Sequence, residues 1–345
     1  MRRDFITAVA IAGALSLGAG AANADTVLKL GTVAFPGVPL GDSIQEALVD
    51  NINTMSGGKL TIEPHYRGSI CGEQKCGEQA NQGLLALWTS STANFGNFSP
   101  ALAIFDLPYL FKSLTDADNV SNGWLGDAQC EIAAETTQHR CFEIFASGGF
   151  RHLGNAKGPV HHPDDLKGMK MRVTKSPIEY TLIKAWGAIP IPYDWTQLYQ
   201  GLQTGVVEGQ YVQVPWQRIA KLHEVTKYYT GIGGSWGGNH ISIDLRQFNK
   251  LSDQEKAWLR KAMTEYGDLA RARDQAWVIE TTNLMKTEIT EWYDPNEEEM
   301  VAWRKGAIGA WKKAKGTYDG KKAERALTEQ GLDSFIADLK KAGAL

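Results

Sequence analysis

A chain of 345 residues is too long for one ordinary hydrophobic core, so its length predicts two domains. Its composition, 43% hydrophobic and 22% charged with no low-complexity tract, excludes a disordered or fibrous chain. A net charge of −3 without a dense basic run excludes nucleic acid as an expected partner.

Arg2 and Arg3 precede a weakly apolar run from Ile6 to Gly20, and Ala22-Asn23-Ala24 supplies an A-x-A site. The pattern predicts a signal peptide over 1–24, cleaved after Ala24, and therefore export. The run is too short for a convincing membrane span, and "RRDF" leaves Sec and Tat export both open. Four cysteines fall in two close pairs, and an even count in an exported chain predicts the disulfides Cys71–Cys76 and Cys130–Cys141. C-x4-C is a poor zinc spacing, so no metal is expected. No phosphate-binding or dinucleotide glycine motif occurs, so no cofactor is expected either.

In chain order, "TVLKLGTVAF" alternates as a strand, and Ile44, Leu48, Ile52 and Met55 then recur at helical spacing up to Gly57-Gly58. "KLTIEPHY" is a second strand, "EQANQGLLA" a helix and "LALWTSS" a third strand, an alternation that predicts a parallel sheet. A second series begins near Phe150 with the strands "FRHLGNA" and "MKMRV". Ser176 to Glu179 reads as a capping box opening a helix that turns Tyr180, Ile183 and Trp186 inward. "IPIPY", a helix at "TQLYQGLQ", the strand "VVEGQYVQV", a Gly-rich connection "GIGGSWGG" suited to a hinge, and the strand "HISID" follow. A second capping box, Ser252 with Glu255, opens a long helix over 252–285 whose apolar face holds Trp258, Leu259, Met263, Tyr266, Leu269 and Trp277. The predicted organisation is two α/β lobes, 25–148 with 239–270 and 149–238. The long helix spans both, and helices over 286–345 pack on them. Such lobes leave a ligand cleft at the carboxyl ends of their strands.

Arg172 lies at such a strand end. A planar five-donor fork suits a ligand carboxylate, though an internal carboxylate would satisfy it equally. Arg151 and Asn155 share a face of the preceding strand and either add donors or cap it. Trp88 and Trp195, beside loops, either cover a ligand or pack in a core. Gly233 to Gly237 fits G-x-S-x-G, which offers a secreted serine hydrolase on Ser235 as a lesser alternative. The sole histidine after Ser235 is His240, with no acid between, so the usual Ser-acid-His order cannot be assembled.

The segments Asp165–Val173 ("DLKGMKMRV"), Gly187–Pro190 ("GAIP") and Gly201–Gln210 ("GLQTGVVEGQ") together resemble the DctP-type solute-binding proteins of TRAP transporters. A fainter likeness at "LKLGTVAF", "FDLPYLF" and "LSDQEK" extends this over the mature chain. The resemblance implies a type II-like, two-lobed periplasmic binding protein rather than an enzyme. It would capture a small organic anion and deliver it to the TRAP permease membrane subunits, and nothing demands more than a monomer. An ABC-type or sensor-associated binding protein is the alternative within the same class. The resemblance further implies that Arg172 clamps the carboxylate, aided by Arg151, Asn155 and the aromatic Trp195. One departure stands out. Val212 occupies the place of a carboxylate-holding Asn, so either Gln210 or Gln213 substitutes or the acid group, a sulfonate for example, is held differently. Trp88, Trp195, Tyr211 and Trp236 suggest a flatter or more apolar ligand than a small dicarboxylate.

Overall fold

Strands β1 (Thr26–Gly31), β2 (Leu60–His65) and β3 (Leu87–Ser91) pair in parallel in the order β2-β1-β3, because helical crossovers separate them in sequence. The computed structural model describes residues 26–96 and 98–345, so the expected signal peptide lies outside the described residues. The other strands are β4 (His139–Asn155), β5 (Lys170–Val173), β6 (Ile189–Pro192), β7 (Gly209–Gln213), β8 (Tyr228–Thr230), β9 (Trp236–Asp244) and β10 (Glu291–Tyr293). The sheet runs β2-β1-β3-β9-β4-β7-β5-β6, with β8 also on β4 and β10 on β8.

One strand joins the two halves. The sequence reading separates "FEIFAS" from "FRHLGNA", but they form a single 17-residue β4. Its first part pairs antiparallel with β9 as far as Phe150, and from Arg151 onward it pairs with β7. Gly148 and Gly149, at φ 86° and 75°, make this possible, since the left-handed backbone shifts the register without ending the strand. "GIGGSWGG" likewise divides differently from expectation: Trp236 to Gly238 already belong to β9 and are buried.

The long helix occupies Asp253–Glu288, 36 residues and about 54 Å at the usual rise. Ser252 and Glu255 form the expected capping box. Leu259, Met263, Tyr266 and Trp277 are buried as expected, whereas Trp258 and Leu269 only flank that core. On the same face Asp274 accepts hydrogen bonds from the backbone N–H groups of Gly148 and Gly149, so the helix braces the point where β4 changes partner.

Helix Pro177–Ala185 packs on helix Glu297–Ala314 through Trp186, whose indole N–H donates to Trp303 O at 3.1 Å. Ile183 and Trp186 face inward, but Tyr180 is 41% exposed, a correction to the expected face. Glu179 takes the inward position because its carboxylate accepts from Thr174 N and Thr174 Oγ1 at 3.0 and 2.7 Å. The return arm of the expected capping box is thereby diverted into the interior. Trp303 and Trp311 are wholly buried. Among the described residues no helix is long and apolar enough to cross a membrane.

Both expected disulfides are present, Cys71–Cys76 and Cys130–Cys141, the second tying helix Trp124–Thr136 to β4. Reduction should lower the unfolding midpoint by an amount equivalent to about 2–3 kcal/mol per bridge at most, given such short loops. A native protein that titrates four thiols would contradict the pairing.

Burial, with Asp118 nearby, pushes the Asp274 carboxyl up to about 7. A carboxyl raised in the folded state contributes stability that is fully present below its unfolded value and is lost as pH rises through the folded one. Asp274→Asn should therefore gain stability relative to the native chain between pH 5 and pH 8. Denaturant unfolding at the two pH values reads that difference, and parallel curves would contradict it.

Candidate functional site

The carboxyl ends of β5 and β7, together with the break in β4, open onto one pocket of about 420 Å³ of empty space. The second half of the sheet contributes Arg151, Arg172, Thr174, Trp195, Val212, Gln213 and Trp216. From the first half come Val33, Glu73, Ser91, Ser147, Gly238 and Asn239.

Arg172 is 2% exposed. It stands on β5, paired with β6 and β7, and its neighbours Met171 and Val173 are locked in the core. Its Nε donates to Tyr193 O at 3.0 Å, and its guanidinium carbon lies 6.0 Å from the centre of the Trp195 ring. No carboxylate pairs with it among the described residues. Burial lowers its pKa to about 10 while Glu179 partly opposes the shift, so it stays charged at neutral pH.

Arg151 is also buried but is already compensated. Its Nε lies 2.9 Å from Glu179 Oε1, with the two side chains 4% and 1% exposed, and its Nη1 donates to Tyr211 O at 3.3 Å. Behind this pair sits Asp106, which accepts from Ser176 Oγ at 2.8 Å and Thr92 Oγ1 at 3.1 Å. Burial and the nearby Glu179 push its carboxyl up to about 7. The two arginines expected to act alike are thus unlike: one is neutralised within the fold and one is not.

The protein-family model described as bacterial extracellular solute-binding protein, family 7 (DctP), matches residues 30–317. The chain belongs to the DctP family. It is 29% identical to the 2,3-diketo-L-gulonate-binding periplasmic protein of Escherichia coli K12 over 238 residues, 67% of this chain and 71% of the relative. It is 26% identical to the C4-dicarboxylate-binding periplasmic protein of Rhodobacter capsulatus over 299 residues, 85% of this chain and 88% of the relative. A TRAP periplasmic solute binding protein from Shewanella oneidensis with bound succinate superimposes at TM-score 0.83 and 18% identity, covering 88% of this chain and 99% of the other. The fold is accordingly the two-lobed one of TRAP solute-binding proteins, with the cleft between its lobes.

Of the residues expected in the cleft of this DctP protein, Arg172, Arg151, Trp195 and Gln213 line the pocket. Five do not, and each has a structural occupation. Asn155 Oδ1 accepts from Lys157 N and Gly158 N at 2.8 and 3.0 Å, closing the turn after β4. Trp88 is wholly buried against Phe95 and His240, with its Nε1 donating to His139 Nδ1 at 3.3 Å. Trp236 packs on Phe105 and Phe111, and Tyr211 on Trp186. Gln210 Nε2 donates to Gln217 Oε1 at 2.8 Å. The hydrolase alternative also loses its machinery. Ser235 Oγ donates to the backbone carbonyl of Asp106, while His240 Nδ1 shares its hydrogen bond with Ser242 Oγ.

Glu73, Ser91, Ser147, Thr174, Trp216 and Asn239 were not singled out from the sequence. Thr174 follows Arg172 by two positions at the same strand end and could have been inferred, whereas the first-half residues meet it only through folding. Glu179→Ala should strand Arg151 as a buried unpaired charge and cost about 3–5 kcal/mol in denaturant unfolding. A loss below about 1 kcal/mol, the range of exposed pairs, would show that the pair is not desolvated in solution.

Proposed function

We propose that this TRAP solute-binding protein is exported to the periplasm, captures a small organic acid anion through Arg172, and presents it to the membrane subunits of its permease. The observation that carries the reading is the buried guanidinium at the cleft, which forms no ion pair among the described residues. Its Nε is committed to Tyr193 O, which leaves the Nη1–Nη2 edge, unbonded among the described residues, for two parallel charge-assisted hydrogen bonds. The relatives named for, or carrying, 2,3-diketo-L-gulonate, C4-dicarboxylates and succinate are all acid binders, which supports the same class here. Trp195 and Trp216, edge to face at 5.9 Å, supply an aromatic wall for the carbon skeleton. Where the family Asn is replaced by Val212, Gln213 is the second donor in this reading, since Gln210 is spent on Gln217. A sulfonate would fit the same fork.

A thermal-shift screen of carboxylates and sulfonates finds the ligand, and calorimetry on Arg172→Ala tests the assignment. Affinity should fall by at least about 100-fold, matching the 2–5 kcal/mol typical of a buried charge contact. Unliganded stability should stay the same or rise, because an unpaired buried charge is removed. Undiminished affinity, or a large loss of unliganded stability, would make Arg172 a structural arginine.

A further inference from the structure

Away from the pocket, at the start of β4, three cationic side chains gather round one phenylalanine. Phe248, on helix Leu245–Lys250, is buried. The Arg140 guanidinium lies 5.3 Å from its ring centre, that of Arg260 5.4 Å and the Lys256 ammonium 5.7 Å. Arg140 comes from β4 and also lies 5.8 Å from the ring of Phe142. Lys256 and Arg260 come from the first turns of the long helix, four residues apart and so on one face.

Without a counter-charge this grouping is electrostatically unfavourable in several ways. Like charges at that helical spacing repel, and cations near a helix N-terminus oppose its dipole. Burial, with the charge of Arg260 added to it, lowers the pKa of Arg140. Neither arginine side chain donates a hydrogen bond or forms an ion pair among the described residues, and Arg140 Nε is buried without a partner. Asp253 approaches Lys256 only to 4.0 Å and is itself wholly exposed, while Glu255 is held by Thr26 and Ser252. A ring face attracts a cation without neutralising it.

We propose that Arg140, Lys256 and Arg260 form an anion site for a phosphate group, carried free or as the headgroup of a phospholipid. A planar guanidinium fork bonds two oxygens at once, and the flexible ammonium reaches a third. Three positive charges match a phosphate near its dianionic form better than the single charge of a carboxylate. The apolar stems lie against Phe248, which keeps the three heads together, and Arg260 is exposed, so an anion reaches them from solvent. The inference does not draw on the Arg172 reading, because β4 carries Arg140 at its start and meets the pocket only at its break.

The test is calorimetry with inorganic phosphate and with acetate at one ionic strength, and cosedimentation with phosphatidylcholine vesicles with and without phosphatidate. Phosphate should bind at least about tenfold more tightly than acetate. Its affinity should fall at least about tenfold in Arg260→Gln and in Arg140→Gln, and stay unchanged in Arg172→Ala. Sedimentation with the phosphatidate vesicles alone, lost in the same two variants, supports the site with a lipid as carrier of the phosphate. Without any anion, Arg260→Gln should unfold at the same temperature or higher, because a repelling charge is removed. A lower midpoint would make the cluster a structural one and overturn the proposal. So would equal binding of acetate, binding that Arg172→Ala abolishes, binding indifferent to Arg260→Gln, or no binding of either phosphate probe. Arg260 is on the surface, so its variant decides the matter even where Arg140→Gln does not fold.

Discussion

Two guanidinium groups are buried in one pocket, and among the described residues only one of them is paired with a carboxylate. The pairing of Arg151 with Glu179 removes a charge that the interior could not otherwise hold, and it turns Arg151 into part of the wall. Arg172 forms no ion pair among the described residues; the Tyr193 carbonyl, the face of Trp195 and the more distant charge of Glu179 lessen the cost of its burial without neutralising it. In the proposed reading an arriving anion completes that balance. In the same reading, exclusion of water from the pocket by the ligand strengthens the contact.

This asymmetry depends on the sheet that carries it. Arg172 projects from a strand whose flanking residues are fixed in a core, so little side-chain freedom is left to lose when a ligand is bound. Arg151 reaches the same pocket because β4 does not stop between the halves. It changes partner at Gly148-Gly149, directly below Asp274 of the long helix. Helix Pro177–Ala185 is turned by the same interaction: with Glu179 drawn inward to Arg151, Tyr180 is left facing solvent.

Much of the architecture was legible from periodicity and punctuation. The alternation of strands and helices, the capped long helix and the cysteine pairs all appear where local patterns place them. What local pattern could not convey was which of two arginines would be neutralised, because Glu179 looked like an ordinary third residue of a helix and its partner lies in another strand. Aromatic residues misled for a related reason. Trp88, Tyr211 and Trp236 sit near the pocket-forming loops in sequence, yet β3, β7 and β9 are covered on both faces, and large rings there fill cores. The first-half residues Glu73, Ser91 and Asn239 were invisible because they are far apart in the chain and meet only through the pairing of β3 with β9 and the bond from Ser91 N to the Glu73 carboxylate.

The small bridge between Cys71 and Cys76 encloses Glu73, at the start of helix Glu73–Asn81. A crosslink of sequence separation 5 restrains little of the unfolded chain, so its chief effect is local. Both sulfurs press on Gly31, where a Cβ would lie 2.8 and 2.9 Å from them, and so anchor that helical turn to the end of β1. In the proposed exported state, the wall facing the cationic fork is therefore finished by oxidation, after the polypeptide has left a reducing cytosol. Maturation chemistry in the destination compartment would thus complete one side of the receptor's mouth.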